Sequence, residues 1–94
     1  MSQNLRKTYV WGEIQDPVAG ETGFCAIEFQ GDDATRQVQK WGSRWYCSDQ
    51  VKEVEPGIPS LNEYPLSSMT YDGSYRMIDA DEFESLWLEG HAAQ

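Results

Sequence analysis

The sequence predicts a small α+β domain: an antiparallel sheet of about four strands with a C-terminal α-helix packed on one face. Three observations carry this. Alternating or β-rich segments recur between Lys7 and Asp49, separated by glycine turns. A capped, amphipathic helical pattern opens at Asp79. Four Trp, five Tyr and three Phe are spread over 94 residues, which supplies the bulk for one core and is too aromatic for a disordered acidic chain. The length suits a single domain over residues 1–94.

Lys7 to Gln15 alternates, with Tyr9, Trp11 and Glu13 on one face and Thr8, Val10 and Ile14 on the other, and Asp16-Pro17 stops it. After a glycine-rich loop from Val18 to Gly23, Phe24 to Phe29 has the composition of a mostly buried strand. Gly31-Asp32-Asp33 supplies a turn, and Ala34 to Trp41 alternates again. Gly42-Ser43, ahead of Arg44 to Cys47, fits a two-residue hairpin turn of the primed type. Phe24 to Asp49 is thus expected as three successive antiparallel strands with Lys7 to Gln15 as a fourth, in an order the sequence leaves open.

Pro56-Gly57-Ile58-Pro59 breaks this pattern, and about residues 55–77 are expected as ordered loop anchored by Leu61, Tyr64, Leu66, Met69 and Tyr71. Within it, Ser60 is placed to cap one helical turn through Glu63, ended by Pro65. The helix itself is expected over about residues 80–89. Asp79 is its N-cap, Glu82 the reciprocal partner, and Ile78 with Phe83 a hydrophobic staple. Asp81, Glu82 and Glu84 lie at its positive end. Phe83, Leu86 and Trp87 form the stripe that faces the sheet, with Trp87 buried, and Gly90 is placed to end the helix in a left-handed conformation.

Charge is distributed unevenly. Residues 1–52 hold seven acids against six bases and residues 53–94 hold nine against one, so the second part carries −8 of the formal −9. That polarity points away from nucleic acid and anionic membrane as direct ligands. No apolar run follows Arg6-Lys7, as a signal peptide requires, and no stretch approaches the roughly 18 apolar residues of a membrane span. A cytoplasmic location is therefore expected, with Cys25 and Cys47 as free, buried thiols.

No catalytic, cofactor or metal residues are expected. His91, the single histidine, falls beyond the helix stop, where chain ends fray and a general base would lack a fixed partner. Cys25 and Cys47 lie in strand patterns without the cations that favour thiolate. They stand 22 positions apart, no CxxC, HxxxH or calcium-loop pattern occurs, and turn chemistry accounts for Asp32-Asp33. Gly20-Glu21-Thr22-Gly23 lacks the lysine and the strand-to-helix context of a phosphate loop.

Two surfaces admit a binding reading. Trp41, Trp45 and Tyr46, with Arg36, Lys40 and Arg44 nearby, could stack bases; the ordinary alternative is sheet packing with basic stems over aromatic faces. On the helix, Leu88 projects opposite the buried stripe among Asp81, Glu84 and Ser85, with Glu89 beside it. A lone exposed leucine needs no explanation. The functional alternative is a partner contact in which carboxylates steer toward a basic surface and Leu88 fills a small pocket.

Several short pieces together span most of the chain from Lys7 to Trp87: the strand ending in Trp11 before Asp16-Pro17, the Glu28 strand, Arg36-Gln37-Val38 before Gly42, Ile58-Pro59-Ser60-Leu61-Asn62-Glu63, and above all Ile78-Asp79-Ala80-Asp81-Glu82-Phe83-Glu84-Ser85-Leu86-Trp87. In these the chain resembles a family of small uncharacterised bacterial proteins associated with toxin-immunity and mobile-element genes. The resemblance implies a small antiparallel sheet with a C-terminal helix, brings no catalytic residues, and favours a dedicated inhibitor.

The expectation is therefore a non-catalytic, acidic inhibitor or immunity-type protein. It would block a basic, nucleic-acid-processing protein partner through Asp81, Glu84, Ser85, Leu88 and Glu89. An alternative of the same physical class is a phage-encoded inhibitor of a bacterial defence complex, of the anti-CRISPR type, mimicking the nucleic-acid backbone. A motif-free small enzyme and a homodimer built on the aromatic sheet face complete the alternatives.

Overall fold

The chain runs β1 (Lys7–Gln15), β2 (Thr22–Gln30), β3 (Asp33–Trp41), β4 (Arg44–Cys47), β5 (Glu53–Glu55), β6 (Ile58–Pro59), α1 (Leu66–Met69), β7 (Tyr75–Ile78) and α2 (Ala80–Ala92). The computed structural model describes residues 6–15, 20–69 and 74–94; the expected stop at Asp16-Pro17, Val18 of the following loop and the anchor Tyr71 lie outside the described residues. Five strands form one antiparallel sheet in the order β4-β3-β2-β1-β7, and β5 and β6 form a separate small hairpin.

Local chemistry explains the first four strands. β1 and β4 fall where alternation and β-branched or aromatic content place them, and β2 and β3 extend the expected segments by one or two residues at their ends. Gly42 adopts a φ of 60°, and among the described residues no non-glycine residue has a positive φ, so the Trp41–Arg44 turn follows the II′ pattern, in which only the first central residue has a positive φ. The fifth strand is a correction to the expected four. β7 is only four residues long and exposes Arg76 and Met77, so it carries no alternation; its pairing with β1, from Tyr9 opposite Ile78 to Gly12 opposite Tyr75, defines it.

Each face of the sheet has its own core. On one side Ala26, Val38, Cys47 and Ile78 pack with Phe83 of α2, joined by Tyr9, Trp11, Trp45, Leu86 and Trp87. On the other side Val10, Cys25, Ile27 and Phe29 are covered by Leu66, Met69 and Tyr75. The β5–β6 hairpin is largely exposed, and residues 60–69 lie over that face. Backbone and side-chain hydrogen bonds tie them down: the Asn62 amide donates to the buried Gln37 side chain at 2.6 Å, and the Leu66 amide donates to the Asp32 carbonyl at 3.2 Å.

Within that segment two expectations need correction. Ser60 caps no helix; it is buried, and its hydroxyl donates to the Val51 carbonyl at 2.5 Å. The single helical turn comes after Pro65, because proline suits the start of a turn better than its end. Tyr64, expected as an apolar anchor, is 67 % exposed.

The helix α2 starts as its caps dictate, with the Asp79 side chain accepting from the Glu82 amide at 2.8 Å and Ile78 and Phe83 in one cluster. It does not stop at Gly90. Gly90 keeps a negative φ inside the helix and is buried, because a Cβ there would lie 2.9 Å from Cys47 Sγ and 3.0 Å from Val38 Cγ2. Glycine serves here as a close-approach residue that seats the last turn on β3 and β4. Trp87, expected to be buried, is half-buried, and Phe83 is the fully buried aromatic of the helix.

Phe83→Ala is expected to cost about 3–5 kcal/mol in urea denaturation. Trp87→Ala should cost less, and Leu88→Ala should fall within about 0.5 kcal/mol of the parent. A larger loss at Trp87 than at Phe83 would contradict this packing.

Candidate functional site

The outward face of α2 presents Asp81, Glu82, Ser85, Leu88 and Glu89, all exposed, with Leu88 at 65 %. They form one stripe because positions 81, 85 and 88 follow the helical repeat and 82 and 89 flank it. Among the described residues no cation pairs with Asp81, Glu82 or Glu89. Of the five residues expected to bind a partner, Asp81, Ser85, Leu88 and Glu89 share this surface. Glu84, one helical turn before Leu88, borders the same surface on the side toward the sheet, but it is only half exposed and its carboxylate is held by Arg36.

Arg36 reaches Glu84 from inside the sheet. Tyr9, Glu28 and Arg36 are aligned across β1, β2 and β3 on the helix-covered face. Glu28 is 2 % exposed. It accepts from Arg36 Nε at 2.9 Å, from Arg36 Nη2 at 2.5 Å and from the Thr35 hydroxyl at 2.7 Å, and Lys7 Nζ stands 3.8 Å away. The Arg36 guanidinium forks to both carboxylates and lies against the rings of Phe83 and Trp87, 5.0 and 5.1 Å from their centroids. These bonds, the Arg36 fork foremost, hold the Glu28 carboxyl down at about 2 despite its burial. Arg36 is pushed further above its ordinary range by Glu28 and then Glu84. A carboxyl held this low is a poor general acid, so the cluster is a fixed anion–cation network.

The surface weighed as a base-stacking alternative is divided by the register. Trp41 and Tyr46 lie on the opposite face from Trp45, and the cations are already engaged: Arg36 as above, Arg44 with Glu21 at 2.9 Å, and Lys40 over the Trp45 ring at 5.1 Å. Trp45 instead continues an aromatic row with Phe24 and Trp11, at centroid separations of 5.6 and 5.8 Å, with Arg76 over Trp11 at 4.7 Å. Beside it opens a depression of about 590 Å³, lined by Glu13, Phe24 and Lys40 among others. Basic stems cover these aromatic faces, as the packing alternative anticipates.

His91 departs most from its expectation. It sits in the last turn of α2 with Nδ1 2.8 Å from the Trp87 carbonyl oxygen and Nε2 3.0 Å from both Asp49 oxygens. The carbonyl can only accept, so Nδ1 carries the proton. The bond to Trp87, then Asp49, raises the imidazole pKa above its ordinary value. Cys25 and Cys47 are free and buried, as expected, and face opposite cores. Burial pushes the Cys25 thiol up to about 12, and burial followed by the Asp49 charge pushes Cys47 up to about 11, the reverse of an activated nucleophile. The expectation of an unanchored histidine missed Asp49, which lies 42 positions earlier in the chain and is brought to it only by the packing of α2 on the sheet.

No protein-family model, curated protein or solved structure matches this chain. Among the described residues no helix is long and apolar enough to cross a membrane.

The low Glu28 pKa sets an acid limit on stability. A carboxyl depressed from 4.5 to about 2 on folding stabilises fully above 4.5 and loses that contribution as pH falls through about 2, a difference of roughly 3 kcal/mol. Glu28→Gln should therefore lower stability at neutral pH by a similar amount and flatten the dependence between pH 4.5 and 2. Urea denaturation across that range is the measurement; parallel curves for parent and variant would refute the assignment.

Proposed function

We propose that this protein is a non-catalytic, acidic binding protein of the inhibitor or immunity type, which docks on a basic protein partner through the outward stripe of α2. The observation that carries the reading is the set of uncompensated carboxylates at Asp81, Glu82 and Glu89 around exposed Leu88, on a helix whose inner face is fixed to the sheet. Such a surface speeds encounter with a cationic site, and an apolar tip at its centre supplies the desolvated contact that slows dissociation. An acidic stripe can also occupy a site that ordinarily receives phosphates, which makes a nucleic-acid-processing protein the natural target class. The sequence resemblance to a family of small uncharacterised bacterial proteins associated with toxin-immunity and mobile-element genes favours the same reading. Glu84 takes a structural part in it, since Arg36 holds it.

Affinity capture with the parent chain and with an Asp81→Asn/Glu82→Gln/Glu89→Gln variant, from a lysate of the source cell, supplies the partner for kinetics. The partner should be basic, and the triple variant should associate about tenfold more slowly with a flattened salt dependence. Leu88→Ala should act on dissociation. Binding whose association rate is the same at low and physiological salt would overturn the proposal. Recovery of a nuclease-type toxin would mark an immunity protein, and recovery of a CRISPR effector the phage-encoded alternative.

A further inference from the structure

Folding gathers three metal-competent side chains at the C-terminal end of α2. Cys47 is the last residue of β4, Asp49 follows in the turn, and His91 comes from the helix. Cys47 Sγ, an Asp49 oxygen and His91 Nε2 all lie within 4.8 Å of one another. Gly90 makes the meeting possible: the missing Cβ lets the helix rest on Cys47 and delivers the next residue beside Asp49.

We infer that Cys47, Asp49 and His91 form a binding site for a divalent metal ion of the zinc class, with one sulfur, one oxygen and one nitrogen ligand and a fourth position open to water. The donor set selects the metal. Thiolate and imidazole favour zinc over the hard cations magnesium and calcium, and zinc accepts the mixed set without redox change. The histidine is oriented for the task, since donation from Nδ1 to the Trp87 carbonyl directs Nε2 toward the other two donors.

The nitrogen and oxygen ligands already stand near metal-binding separations, and the Cys47 sulfur, within 4.8 Å of both, has to approach by up to about 1.3 Å. Bonds of about 2.0–2.3 Å at tetrahedral angles put ligand atoms roughly 3.3–3.6 Å apart. The Asp49–His91 separation of 3.0 Å needs to open by only a few tenths of an ångström, and the Asp49 side chain, 54 % exposed, is free to make that adjustment. The buried thiol forms the floor, while Asp49 and His91 lie at the solvent edge and provide the entry path. Binding replaces the thiol proton of Cys47, and any proton on Nε2, with the metal; the protons leave to solvent.

The reduced full-length chain, titrated anaerobically with Co²⁺ as the probe and Zn²⁺ as the competitor, tests this. Expected are one equivalent of cobalt with tetrahedral visible bands and a sulfur-to-cobalt charge-transfer band, both abolished by zinc. The melting temperature should rise with zinc and return with chelator. Cys47→Ser should remove the charge-transfer band, and Cys25→Ser, on the opposite face, should leave it intact. Asp49→Asn, on an exposed turn that does not endanger folding, should weaken zinc at least about tenfold. A cobalt spectrum without sulfur character, or unchanged zinc affinity in Asp49→Asn, overturns the site.

Discussion

The buried Glu28 carboxylate and the Arg36 fork that neutralises it organise one whole side of this molecule. Removing a charged carboxylate from water costs several kcal/mol, and only well-aligned, charge-assisted hydrogen bonds offset that cost. The alignment exists because Tyr9, Glu28 and Arg36 fall into register across three strands. A one-residue slip would turn Glu28 into the opposite, apolar core, so the same interaction that tolerates the charge also penalises the wrong register. Arg36 extends the constraint to the helix by lying against Phe83 and Trp87 while gripping Glu84.

That grip also shapes the outer surface. Glu84 is drawn from the acidic field into the seam between helix and sheet, so the free negative charge of α2 is confined to the stripe from Asp81 to Glu89. A stripe on a helix fixed at both ends is preorganised: its first turn is capped by Asp79, and its last turn is held through His91 and Asp49 and by the close approach at Gly90. Preorganisation would lower the entropic cost of the docking proposed for this surface. A metal at Cys47, Asp49 and His91 would tighten the second of these attachments and leave the stripe itself untouched.

The other side of the sheet follows a different logic. Val10, Cys25, Ile27 and Phe29 make an apolar face that needs a cover, and no second long helix provides it among the described residues. Residues 60–69 take the place of that helix. The Asn62 amide finds a partner in buried Gln37 and the Leu66 amide in the turn at Asp32, which ties an irregular segment to the sheet. Leu66 and Met69 supply the apolar contact.

What the sequence by itself determined is local. The four leading strands, the Gly42 turn, the Asp79 cap and the Phe83 stripe were legible because each depends on neighbours within a few residues, through period, turn chemistry or capping. The exposure of Leu88 followed from the same helical repeat. Only the tertiary structure decided the fifth strand, the covering role of residues 60–69, the pairing of Glu84 with Arg36, and the meeting of Cys47, Asp49 and His91. Gly90 shows the reason most clearly: as a letter it signals a helix stop, yet it stays inside the helix, and glycine is needed there because a cysteine 43 positions earlier occupies the space a side chain would need. Contacts between distant residues depend on register and on close approach, and neither leaves a periodic mark in the chain.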